Sequence, residues 1–127
     1  MTQSLAPSVG WGVLHLFCKL GDPSSGSARA VVDDQAIVRA VKGAESDGVQ
    51  VVTVAMLGHK ADVGFMVLGP DLWRLRRFQA DLQGAGLVVV DSYVSLTEVS
   101  EYAAGIPDEM KQTRLYPSLP PAGRSAF

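Results

Sequence analysis

The sequence predicts an α+β domain in which four strands and two helices follow one another as βαββαβ, forming a four-stranded antiparallel sheet and one half of a dimeric α+β barrel. Three observations lead there. Two stretches with apolar residues at helical spacing each separate runs of β-branched and large apolar residues. Two such runs stand back to back across the short connection GHKAD, and three of the four runs are apolar at nearly every position. The first two observations give the order of the elements. The third implies that both faces of the sheet are covered, because a sheet with one wet face alternates apolar and polar residues.

The first strand is expected over 11–20, WGVLHLFCKL, an apolar and aromatic run stopped by Gly21, Asp22 and Pro23. PSSGSAR then reads as a loop. Asp33 or Asp34 can cap the first helix, whose apolar positions Ile37, Val38, Val41 and Ala44 recur until Gly48. The runs 49–57 (VQVVTVAML) and 63–68 (VGFMVL) make a hairpin, with Gly58 supplying the turn. After Gly69, Pro70 and Asp71, the residues Leu72, Leu75, Phe78 and Leu82 share one helical face, while Arg74, Arg76, Arg77, Gln79 and Asp81 lie mostly elsewhere. Gly84 and Gly86 end this helix. A fourth strand, 87–99 (LVVVDSYVSLTEV), turns amphipathic halfway along. With right-handed crossovers the order gives a ferredoxin-like sheet with both helices on one face. The other face then needs a cover, and the simplest is a similar sheet from a second copy or from a second half of the same ancestral protein.

At 127 residues the chain suits one compact domain. Its 47% hydrophobic and 19% charged residues exclude general disorder. A net charge of −2 and a pI of about 5.6 provide no broad cationic surface, which argues against nucleic acid and anionic membranes as partners. A ferredoxin-like RNA binder would need exposed aromatics on a basic sheet face, and Phe65 alone does not meet that need. No basic segment precedes the apolar run 11–17, which is too short to span a membrane or to serve as a signal-peptide core with flanks, so a cytoplasmic protein is expected. Cys18, the single cysteine, reads as a buried structural thiol. Residues 1–10 are expected as a flexible N-terminus and 11–102 as the domain. From 103 to 127 the composition changes: this stretch holds four of the seven prolines and little apolar periodicity, and reads as an extended arm or linker.

Four segments, in this order, carry a resemblance: the strand WGVLHLF, the hairpin GHKADVGFM, the strand DSYVSLTEVSEY and the arm RLYPSLPPAGRSAF. Together they resemble the N-terminal, non-haem half of the chlorite dismutase and coproheme decarboxylase family, nearest the decarboxylases. The resemblance implies a subunit of two ferredoxin-like halves packed as a barrel, a ring of subunits that is commonly a pentamer, and haem held against the C-terminal half. It implies peroxide-dependent decarboxylation of two propionates of iron-coproporphyrin III to haem b, or chlorite splitting in the dismutase branch. It also places Arg114 at the position of an arginine that contacts a porphyrin propionate, with Tyr116 and Pro117 as scaffold. The family's pattern continues beyond Phe127 with a tyrosine that carries the radical chemistry and, further on, the proximal histidine. Neither His15 nor His59 matches that histidine, so this chain is expected to hold no catalytic residue, to ligate no metal, and to be inactive alone. Its expected partners are a C-terminal haem-binding half or a second similar sheet, with coproheme or haem bound only when that half is present.

A guanidinium offers two parallel donors, which suits the carboxylate of a propionate at Arg114. Lys111 and Arg124 flank it and can add positive potential. His15, mid-strand among apolar residues, reads as a core or interface histidine. His59 and Lys60 beside Asp62 read as a polar turn with a local ion pair. Ser92, Ser95, Glu98 and Ser100 lack a histidine to complete a triad. Arg74, Arg76 and Arg77 read as a solvated helix face, and Trp73 as packing or interface. Against the haem-handling half stands a second reading, a homodimeric barrel that binds a small ligand or a protein without haem.

Overall fold

The computed structural model describes residues 4–21, 32–97 and 107–118. Strand β1 (Gly12–Lys19) is followed by helix α1 (Asp34–Ser46), the hairpin strands β2 (Gln50–Ala55) and β3 (Val63–Gly69), helix α2 (Leu72–Gly84), strand β4 (Val88–Leu96) and helix α3 (Asp108–Leu115). The four strands form one sheet in the order β2-β3-β1-β4, with every neighbouring pair antiparallel. This is the ferredoxin-like order expected from βαββαβ.

Local chemistry sets the helix starts. Asp33 is the N-cap of α1, its carboxylate accepting from the Ala36 backbone N–H at 3.1 Å. Asp71 caps α2 through the Trp73 N–H at 3.0 Å and also accepts from the Leu5 N–H at 3.1 Å, which ties the N-terminal segment to the helix. The apolar stripes then dock on one sheet face. Leu14, Leu16 and Cys18 of β1 and Phe65 and Val67 of β3 pack with Ala40 of α1 and with Leu75, Phe78 and Leu82 of α2. Phe65 and Phe78 meet edge to face at 5.7 Å between centroids. Each of the larger side chains contributes roughly 1.5–3 kcal/mol by leaving water, which is what holds the helices on the sheet. Val38, expected in the α1 stripe, is instead exposed. The buried face passes through Ile37, Ala40, Val41 and Ala44, the i, i+3, i+4, i+7 set, and Val38 lies a full step of rotation away.

The opposite sheet face is ordered into cross-strand rows by the register. One row is Gln50, Leu68, Val13 and Ser95; the next is Val52, Met66, His15 and Tyr93; the third is Val54, Gly64, Phe17 and Asp91. Among the described residues only the first row has a lid. The Gln50 amide donates to the Pro117 carbonyl at 2.7 Å, the Thr97 hydroxyl donates to the Leu115 carbonyl at 2.6 Å, and the Gly10 N–H donates to the Tyr116 hydroxyl at 3.2 Å. Residues 115–117 therefore run from the β4 edge to the β2 edge, and beneath them Val13 and Leu68 are buried.

The stretch expected as an extended arm thus contains a helix. Pro107 precedes α3, Asp108 and Glu109 occupy its first turn and Arg114 its last, the charge distribution that complements a helix dipole. Terminal chemistry, with one buried anchor at Leu115, builds a helix whose apolar periodicity is too weak to read. Among the described residues no helix is long and apolar enough to cross a membrane.

Candidate functional site

Arg114 sits in the last turn of α3, exposed, beside the segment that crosses the sheet. No ion pair to it is present among the described residues, so its donors face solvent. The chain that follows it is held: Leu115 is buried, and Tyr116 stacks edge to face on Trp11 at 5.4 Å. A cation on an anchored base is positioned to receive a carboxylate, and Lys111 lies one turn back on the same helix. Arg124 lies outside the described residues.

His15 occupies the middle of the open face, stacked on Tyr93 with 4.2 Å between centroids and 10° between planes. Its Nε2 is 3.5 Å from the Tyr93 hydroxyl, and its Nδ1 is enclosed with no partner. Partial burial lowers its pKa from the ordinary 6.5, favouring the neutral ring. With one nitrogen enclosed and the other beside a phenol, it presents no open ligand position. His15 thus lies on the sheet face away from the helix-packed core, and its Nδ1 lacks the hydrogen bond that a satisfied core histidine would have. Cys18 is fully buried, and burial raises its thiol pKa from 9.0 to about 11, which suits a structural thiol and not a nucleophile.

The hairpin connection differs from expectation. No His59–Asp62 or Lys60–Asp62 ion pair forms among the described residues. The Asp62 carboxylate accepts from the Leu20 N–H at 2.9 Å, while the Asp62 N–H donates to the Cys18 carbonyl at 2.8 Å. Two bonds to the β1 end hold the aspartate more firmly than a solvated cation would, and His59 and Lys60 are left exposed. Ser92 and Ser95 are exposed on opposite faces of β4; Glu98 and Ser100 lie outside the described residues. Arg74, Arg76 and Arg77 are all exposed, and Arg74 pairs with Asp71 at 3.6 Å and Asp47 at 4.0 Å. Trp73 is exposed. No group of three metal-ligating side chains occurs among the described residues.

A feature with no signal in the sequence lies at the far end of the open face. An open cleft of about 710 Å³ forms between the β1 end, the β2–β3 connection and β4, with Phe17, Met56 and Val90 among its apolar lining and Lys19, His59 and Lys60 at its margin. β4 carries a bulge at its wall. Phe17 pairs with Asp91 and Cys18 with Val89, so Val90 is the extra residue. Neither the bulge nor the approach of the hairpin connection to β4 follows from periodicity.

Comparison with known proteins places this geometry in context. A family model described as chlorite dismutase matches residues 27–124. Among solved structures, a haem-binding protein from Thermus thermophilus is 26% identical with a TM-score of 0.66, covering 93% of this chain and 55% of its own. Two mutant chlorite dismutases of Candidatus Nitrospira defluvii, one in complex with cyanide, are each 17% identical with TM-scores of 0.53. They cover 84% of this chain and 47% and 48% of theirs, a likeness of fold. The chain spans about half the length of these structures.

Proposed function

The chain belongs to the chlorite dismutase family, and from that premise we propose that it is the N-terminal structural half of a haem-handling protein of the coproheme-decarboxylating kind. Residues 11–102 supply one sheet of the barrel, and 103–127 form the arm that leads toward the haem-carrying half. The observation that carries the reading is the sheet face opposite the helices. Its rows are largely apolar, its first row is roofed by residues 115–117, and the exposed guanidinium of Arg114 stands at the edge of that roof.

The described residues fit part of a haem site and not the whole of it. Arg114 offers a propionate two donors on an anchored helix end. Neither described imidazole suits iron: His15 has its Nδ1 enclosed and its ring stacked, and His59 sits exposed in a loop and belongs to no group of three metal-ligating side chains among the described residues. Iron ligation and peroxide chemistry therefore belong to the complementary half, and this half contributes a wall and one carboxylate contact. The decarboxylase assignment over the dismutase one rests on the four segments of sequence resemblance taken together, which lie nearest the decarboxylases.

The test pairs this chain with a complementary haem-binding half, whether encoded downstream or by a neighbouring gene, and titrates coproheme while following the Soret band. The pair should bind coproheme and turn it over with peroxide, whereas the 127-residue chain alone should do neither. Arg114→Ala in the pair should weaken coproheme binding about tenfold or more, the loss expected for one charge-assisted pair. Unchanged affinity in that variant would remove Arg114 from the site, and turnover by the isolated chain would overturn the division of labour.

A further inference from the structure

We propose that Tyr116 is a positioning residue for Arg114. Through a junction made with Gly10, Trp11 and Thr97, it holds the last turn of α3 in the arrangement from which the guanidinium receives a carboxylate. The inference rests on the reading of Arg114 as a propionate contact and names what makes that contact usable.

The need for such a device comes from the helix itself. Helix α3 has eight residues and buries one side chain, Leu115, and a helix so short does not persist in water on its own. Its last turn stands because its end is tied to the sheet. A guanidinium on a fraying turn would have to be ordered at the moment of binding, and that cost is subtracted from the strength of a two-donor pair.

Tyr116 joins the turn and the sheet at once. Its N–H donates to the Gln112 carbonyl at 2.9 Å, the bond that closes the turn over Arg114. Its hydroxyl accepts from the Gly10 N–H at 3.2 Å, and its ring lies edge to face on Trp11. Gly10 reaches that hydroxyl only because it is glycine. Its φ is +79°, in the left-handed region, and a Cβ there would lie 2.5 Å from the Thr97 hydroxyl oxygen and 2.6 Å from the Thr97 carbonyl oxygen. The same Cβ would press on a Leu115 methyl at 3.3 Å. Thr97 has little room to yield, since its N–H donates to the Trp11 carbonyl at 2.9 Å and its hydroxyl to the Leu115 carbonyl at 2.6 Å. The N-terminal segment, the start of β1 and the end of β4 thus converge on the two residues that follow Arg114. Arg114 itself, in no ion pair among the described residues, is left with donors to offer.

The experiment titrates coproheme, followed by the Soret band, into the pair of this chain and its complementary haem-binding half. Wild type, Tyr116→Phe, Arg114→Ala and the double variant are compared. Tyr116→Phe keeps a ring against Trp11 and removes the acceptor of the Gly10 N–H. It should weaken binding about threefold, because a turn that is open part of the time offers its arginine for only the remaining fraction. In the Arg114→Ala background the same change should have no further effect, a non-additivity that a general loss of folding would not produce. In the 127-residue chain alone, hydrogen exchange at the Tyr116 amide should accelerate in Tyr116→Phe while exchange at Leu16 and Val67 holds. Arg114→Ala with undiminished affinity would sink the propionate reading and this proposal with it. Weakening by Arg114→Ala with none by Tyr116→Phe, equal weakening by Tyr116→Phe in both backgrounds, or unchanged exchange at Tyr116 would overturn the positioning role alone.

Discussion

The enclosed Nδ1 of His15 ties a single residue to the acid stability of the domain. Desolvation holds its folded pKa below the ordinary 6.5, so the unfolded chain binds the proton more readily than the folded one. The sign follows directly: this residue costs nothing above pH 6.5, and stability falls as the pH drops from 6.5 toward the lower folded value. His15→Phe keeps the stack on Tyr93 and removes the titration. The difference in thermal midpoint between wild type and variant should therefore shift in favour of the variant between about pH 7.5 and 5.5, since every other group is common to the two proteins and cancels in the difference. A difference that stayed flat across that range would mean that the ring is solvated. His15 also marks the limit of what one residue reveals in sequence: WGVLHLF shows a histidine among apolar residues, but its stacking partner lies 78 positions away and becomes a neighbour only through the β1–β4 register.

At the scale of elements, Thr97 is the joint between the sheet and α3. Its hydroxyl accepts from the Trp11 N–H at 2.8 Å and donates to the Leu115 carbonyl at 2.6 Å, linking the start of β1, the end of β4 and the end of α3. Thr97→Val keeps the shape and leaves a part-buried N–H and a carbonyl without their partner, a loss of about 1–3 kcal/mol. Because α3 has one buried side chain, Leu115, the effect should concentrate there: hydrogen exchange at Lys111 to Tyr116 should accelerate, while exchange at Leu16 and Val67 changes little. Uniform acceleration through the core would show α3 to be part of the main cooperative unit. This joint also explains which elements the sequence displays. The helices α1 and α2 and the strands are legible because each buries a repeating stripe, and the structure keeps their boundaries to within about two or three residues of the periodic pattern. Helix α3 is not legible, since its placement comes from hydrogen bonds to Thr97, Gly10 and Gln50, far away along the chain. Arg114 could be singled out only through the RLYP motif, and the cleft not at all, because an irregularity in register leaves no periodic trace.

For the whole molecule, the largely apolar strand runs and the two rows of the open face left unroofed by the described residues make one argument. Val52 and Met66 lie half-buried and Val54 and Tyr93 exposed, on the face opposite α1 and α2. An apolar sheet face of this kind calls for a second layer, and the fold's related structures are about twice as long as this chain. In the isolated 127-residue chain the available second layer is another copy, so the chain should self-associate face to face, the homodimeric arrangement that competes with the haem-handling reading. Met66 is central to the middle row, between Val52 and His15, and lies on the face away from the helices. Met66→Lys places a charge where two faces would meet, and burying an unpaired ammonium there is strongly unfavourable. Light scattering at about 100 µM should give a dimer or larger species for the wild type and a monomer for the variant, with a thermal midpoint changed by only a few degrees, as for surface substitutions of about 0.5 kcal/mol. A monomeric wild type would show that the face tolerates water, and the dimeric reading would then be lost. A self-associating wild type that dissociates when the complementary haem-binding half is added would make both readings uses of one surface.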